Sequence, residues 1–194
     1  MTLKQVTVRE NGVEAWITAM WDGTPITFFD TRFLNNRCWY ETDKLFNFIL
    51  VGIAYDAGIS ESPQFPFNPD SQVVNWLENY SRENNLPQPV FTGTLSLEGM
   101  GLFLPITDGG RDDYQFRGTV TSVKEAPQIL GQPGWLVRAT VMRYGNLDED
   151  LEILIIKRIW KGGHPPAKGQ DIEGTLWLQG YLWSSHEWEM RGSK

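Results

Sequence analysis

The sequence predicts a mainly-β chain of two barrel-like units, with one helix in the segment that joins them. Three observations carry this reading. Apolar and polar residues alternate with period two along most of the chain. β-branched and aromatic residues dominate those runs. Gly, Asn, Asp and Pro punctuate them as turn formers. Aromatic residues make up 13% of the chain and include nine Trp, which gives even small units the bulk to build a core.

The elements follow in order. Residues 13–21 alternate Val13, Ala15, Ile17 and Ala19 against Glu14, Trp16, Thr18 and Met20, the pattern of a strand with one covered face. Asp22-Gly23 supplies the positive φ of a tight hairpin turn, and Ile26 to Phe29 pairs back. Leu45 to Tyr55 is apolar on both faces, which predicts a strand covered on both sides. Residues 58–69 are loop-like in Ser, Pro and Gly. A helix is expected over 69–85: Asn68 is its cap, Pro69 its first residue, and Val73, Trp76, Leu77 and Tyr80 form one apolar face. Val90 to Ile106 reads as further strands, closed by a turn at Asp108-Gly109-Gly110. Strands are then expected over 114–121, 135–144 and 151–156. A further strand, over 172–183, is the cleanest of all, with Ile172, Gly174, Leu176, Leu178 and Leu182 on one face and Glu173, Trp177, Gln179, Tyr181 and Trp183 on the other.

Two stretches suggest an internal duplication. Gly12 to Met20 resembles Gly134 to Met142, and Asp43 to Gly52 resembles Asp171 to Gly180, where a Leu-X-Gly sits late in each strand. The expected organisation is a first unit over 1–57, a connecting segment over 58–112 with the helix and strands available to complete the first unit, and a second unit over 113–194. The run from Tyr114 through Trp183 resembles an OB-fold: strand, strand, turn, strand, a Lys/Gly/Pro-rich loop, strand. The resemblance extends less well to the first 55 residues. It implies small closed barrels and leaves function open.

Composition excludes several classes. The net charge of −7 argues against a protein that coats nucleic acid by neutralising phosphates. The charge is uneven: residues 1–112 carry 7 Lys/Arg against 14 Asp/Glu, and residues 113–194 carry 10 of each. No apolar run has membrane-spanning length, the N-terminus has no signal-like apolar region, and a single cysteine fits a reducing compartment. A cytoplasmic location is therefore expected. Cys38, in Arg37-Cys38-Trp39-Tyr40, is expected to be buried as an inert thiol. The two histidines and one cysteine have no metal-ligand spacing. The acidic groups Asp112-Asp113 and Asp148-Glu149-Asp150 read as solvated turn residues. No nucleotide or other cofactor motif is present, so no cofactor, metal or catalytic residue is assigned.

One constellation stands out. Lys157, Arg158, Lys161 and His164 cluster in sequence, and Trp177, Tyr181 and Trp183 share a strand face. Cations beside stacking aromatics are the ingredients of a single-strand binding platform, and exposed aromatics also suit a protein interface. The leading expectation is a non-enzymatic binding protein whose partner is another protein. Single-stranded nucleic acid or a small ligand bound by the second barrel is the alternative, and an enzyme of unassigned class a further one.

Overall fold

Asp22 and Gly23 adopt φ of 44° and 85°, the left-handed pair that a two-residue hairpin turn requires. They join β2 (Ala15–Trp21) to β3 (Thr24–Asp30), and β1 (Thr2–Val8) lies antiparallel on the other side of β2. A short helix α1 (Phe33–Asn36) and a 3-10 turn (Arg37–Trp39) lead to β4 (Phe48–Ile59). The computed structural model describes residues 1–60, 64–66, 82, 94–96, 98–129, 131–144 and 147–183. β5 (Gln64–Pro66) and β6 (Thr94–Ser96) form a separate small pair. There follow β7 (Leu102–Pro105), β8 (Asp113–Ile129), β9 (Gln132–Tyr144), β10 (Leu147–Ile156), a 3-10 turn (Lys157–Ile159) and β11 (Asp171–Leu182).

Five strands close a barrel. Around its wall run β8, β9, β10, β4 and β11, and β11 returns to β8; every pairing is antiparallel except β10 with β4. Along one edge β11 pairs first with β8, from Asp171 to Trp177, and then runs parallel to β3 at Gln179 and Gly180. The β1–β3 meander is thus a continuation of the barrel wall. Its inner face joins the barrel interior in one apolar cluster that includes Leu3, Ile17, Phe28, Phe116, Val137, Ile153 and Leu176. Trp21 meets Phe103 edge-on at 6.2 Å, and Phe103 stacks on Tyr114 at 4.4 Å. The Tyr114 hydroxyl in turn accepts the Thr27 N–H at 2.6 Å, so a barrel side chain pins the meander.

Several expectations change. The described residues close one barrel, and the division into two barrel units is not seen in them: β4, expected in the first unit, is a wall strand beside β10 and β11. The two Leu-X-Gly stretches are neighbours within that barrel, paired antiparallel with Leu178 opposite Gly52 and Gly180 opposite Leu50. Close packing accounts for the glycine in each. A Cβ on Gly52 would come within 2.7 Å of Leu176 Cδ2, and one on Gly180 within 2.7 Å of Leu50 Cδ2, so each strand needs a glycine where the other's leucine crosses the interior. The expected helix over 69–85 lies, apart from Arg82, outside the described residues. Cys38 is exposed, because the turn that carries it directs Phe33 and Tyr40 inward instead. No helix among the described residues is long and apolar enough to cross a membrane.

Candidate interaction surface on the outer barrel wall

Alternation on β11 works as its sequence predicts: Ile172, Leu176, Leu178 and Leu182 are buried in the barrel. Trp177, Gln179, Tyr181 and Trp183 therefore face outward. The register shows what lies beside them. Trp177 is opposite Ile53, Gln179 opposite Val51 and Tyr181 opposite Ile49 on β4, while Ile53 is opposite Leu154 on β10. On the other side Gln179 is opposite Phe29, and Phe29 opposite Trp16. The rings of Phe29 and Trp177 are 5.4 Å apart. One outward band thus crosses five strands as Trp16, Phe29, Trp177, Ile53 and Leu154, all half-buried.

β4 was expected to be covered on both faces, and its outer row is not. Gly52 and Ala54 are buried, whereas Ile49, Val51 and Ile53 stay half-buried. With Leu154, Gln179 and Tyr181 they line a shallow cavity of about 220 Å³. Arginines border the band. The Arg9 and Arg111 guanidiniums lie 5.0 and 5.9 Å from the Trp16 ring centre, and that of Arg32 lies 4.2 Å from Tyr181.

The cations singled out in the sequence do not join the aromatic row into one platform. Lys157 lies 5.3 Å from the Trp135 ring and 3.8 Å from Glu125. Lys161 is bonded to Asp56 at 2.8 Å. His164 turns Nδ1 to the Pro165 carbonyl at 2.9 Å, and its own carbonyl accepts the Trp160 indole N–H at 2.7 Å. Arg158 is exposed. Trp177 donates to Asp112 at 2.5 Å, and Trp183 is 45% exposed.

Of the acidic groups, Asp112, Glu149 and Asp150 prove structural rather than merely solvated, while Asp148 stays exposed. Asp112 is buried beneath Trp177. Glu149 accepts the Trp21 indole N–H at 2.8 Å, and Asp150 accepts the Thr140 hydroxyl at 2.7 Å. Burial and the neighbouring Asp22 carboxyl push the Glu149 carboxyl above its ordinary range. The partners of Asp112 and Glu149 come from strands distant in the chain, so sequence spacing carries no sign of those two bonds, whereas Thr140 is the cross-strand neighbour of Asp150 in the β9–β10 hairpin.

A second buried acid holds the border of the band. Asp30, 2% exposed, accepts from the Tyr40 hydroxyl at 2.5 Å and from the Arg32 N–H at 2.9 Å. Burial raises its carboxyl above the ordinary 3.8, although both hydrogen bonds pull it down. A raised native pKa means that the folded chain binds this proton more tightly than the unfolded one. Stability is therefore lost as pH rises through the native value and regained toward 3.8. Tyr40→Phe removes one bond to the ionised form. It should cost about 1–3 kcal/mol at neutral pH and clearly less near the ordinary carboxyl value. Urea unfolding at the two pH values checks this, and an equal loss at both would refute it.

No family model matches the chain, and comparison with curated proteins and solved structures finds no significant similarity.

Proposed function

We propose that this chain is a non-enzymatic interaction protein that binds another protein through the outer wall of its barrel. The observation that supports this is the outward band over β2, β3, β11, β4 and β10. Strands apolar on both faces are ordinarily covered on both, and here the outer row of β4 is left half-buried. Trp, Tyr, Phe and Arg together are the residue types enriched in protein interfaces and their energetic centres. The Lys157–Lys161 region supports a nucleic-acid reading less well, since Lys157 and Lys161 each have a carboxylate within 4 Å.

The barrel itself we read as OB-type. Its support is the closed Greek-key ring of five strands, in which β4 occupies, from the N-terminal side, the place an OB barrel ordinarily gives its last strand. That reading fixes no ligand.

Ile53→Asp tests the proposal, because Ile53 sits mid-band and only half-buried. The variant should keep cooperative unfolding yet lose, by about ten-fold or more, whatever protein the wild type retains in affinity capture. Equal capture by both would sink the reading. So would low-salt binding of a short oligonucleotide that Ile53→Asp leaves intact and neutralisation of Lys157, Arg158 and Lys161 removes.

A further inference from the structure

The outer band is electrically polar from end to end. At the β2 end Arg9 is neutralised by Glu14 at 2.9 Å, whereas Arg111, over the Trp16 ring, has no ion-pair partner among the described residues. At the β10 end Arg138 is turned to Asp150 at 3.2 Å. Glu152, exposed beside Val51, also has no ion-pair partner among the described residues. Among the described residues the β2 end thus keeps one cation, Arg111, outside any ion pair, and the β10 end sets two carboxylates, Asp150 and Glu152, against the single Arg138 that lies opposite Glu152.

We infer that the band pairs with a second copy of itself about a two-fold axis passing near Trp177 and Ile53. This deepens the proposed interaction function and rests on it. A two-fold interface must be self-complementary, with residue i meeting j and j meeting i. An axis lying in the interface and running along the strand direction at the centre of the band lays the β2 end of one copy over the β10 end of the other. Arg111 then faces Glu152 twice, and the aromatic and aliphatic rows meet between the two pairs. A surface charged with one sign throughout would repel its own copy; this one carries opposite signs at opposite ends.

Size sets the strength. Five strands span four steps of about 4.8 Å, or roughly 19 Å, and the rows from Ile53 to Ile49 cover about 13 Å along the strand. That is less than the roughly 800 Å² per partner of a standard interface, so the charged ends are needed and association is expected to be micromolar and salt-sensitive.

The test uses the full chain in sedimentation velocity over micromolar to sub-millimolar concentrations. The wild type should show a concentration-dependent dimer that Ile53→Asp abolishes. Arg111→Glu alone and Glu152→Arg alone should each weaken self-association by about ten-fold or more, since like charges then oppose one another twice. An equimolar mixture of these two variants should regain it, because the mixed pair matches cation to anion at both ends. A monomeric wild type, or a mixture no stronger than its components, overturns the inference. If the wild type is monomeric but Ile53→Asp still loses a captured protein, the dimer fails and the interaction reading stands. If it is monomeric and capture is unchanged, both fail.

Discussion

Gly174→Ala is expected to damage the fold more than its single methyl group suggests. Gly174 lies on β11 between β4 and β8, paired with Ala57 on one side and Phe116 on the other. A Cβ there would lie 2.0 Å from the Asp56 carbonyl oxygen and 2.9 Å from the Ala57 Cα. Both atoms belong to backbone, which cannot move without shifting β4, itself held by β10. Closing a five-strand ring demands such an approach, and the break in β11–β4 register next to it, between Thr175 and Leu176, is where the wall bends. Overpacking a rigid site costs about 1–3 kcal/mol and more where backbone must yield. About 3 kcal/mol or more is therefore expected, a fall in Tm of roughly 6–12 °C for a chain of this size. Gly163→Ala is the control, since its added Cβ meets nothing within 4 Å; its Tm should be unchanged. Thermal unfolding followed by circular dichroism gives both, and a Gly174→Ala variant as stable as the control would refute this account of closure.

How far this architecture could be read from residues alone depended on the range of the interactions. Period-two alternation is local, so β2, the Asp22-Gly23 turn and the inward and outward faces of β11 were all legible. Pairing is not local. The ring needs β4 to lie parallel to β10, a contact between residues 51–53 and 152–154, and no periodicity encodes it. The apparent repeat instead pointed to two separate barrels, because glycines made necessary by two crossing strands look alike whether the strands are equivalent or adjacent. The aromatic half of the candidate surface, Trp177 and Tyr181, was found for the right reason, its strand phase. The aliphatic half on β4 was missed because Ile49, Val51 and Ile53 read as a covered face. Trp16 and Phe29 join the band only through β3–β11 pairing over two residues. The cations near Lys157 were close in sequence, yet two of them are drawn off to Glu125 and Asp56.

Phe28→Ala should destabilise the whole chain by about 3–5 kcal/mol, the usual cost of emptying a fully buried aromatic site. Phe28 is 0% exposed and belongs to the β1–β3 meander, yet its neighbours are barrel residues. It meets Phe48 of β4 edge-on at 5.1 Å, and its ring lies against the Gly180 position of β11, where a Cβ would be 2.9 Å from Cδ2. Two independent units would confine the loss to the first and give two transitions. A single shared core gives one, in which the fluorescence of Trp135 and Trp160, packed together at 6.1 Å on the far side of the barrel, changes at the same denaturant concentration as the backbone signal. The experiment is urea unfolding of wild type and Phe28→Ala, with both probes read on each sample and the other seven tryptophans replaced by Phe in both backgrounds. Coincident midpoints that shift together place the meander inside the barrel's cooperative unit. That unit is also what holds the outer band rigid, because Trp16 and Phe29 on the meander and Ile53 and Leu154 on the barrel form one surface only while their strands share a core. A meander that melts first would leave β4, β10 and β11 carrying the band without Trp16, Phe29 and Arg9.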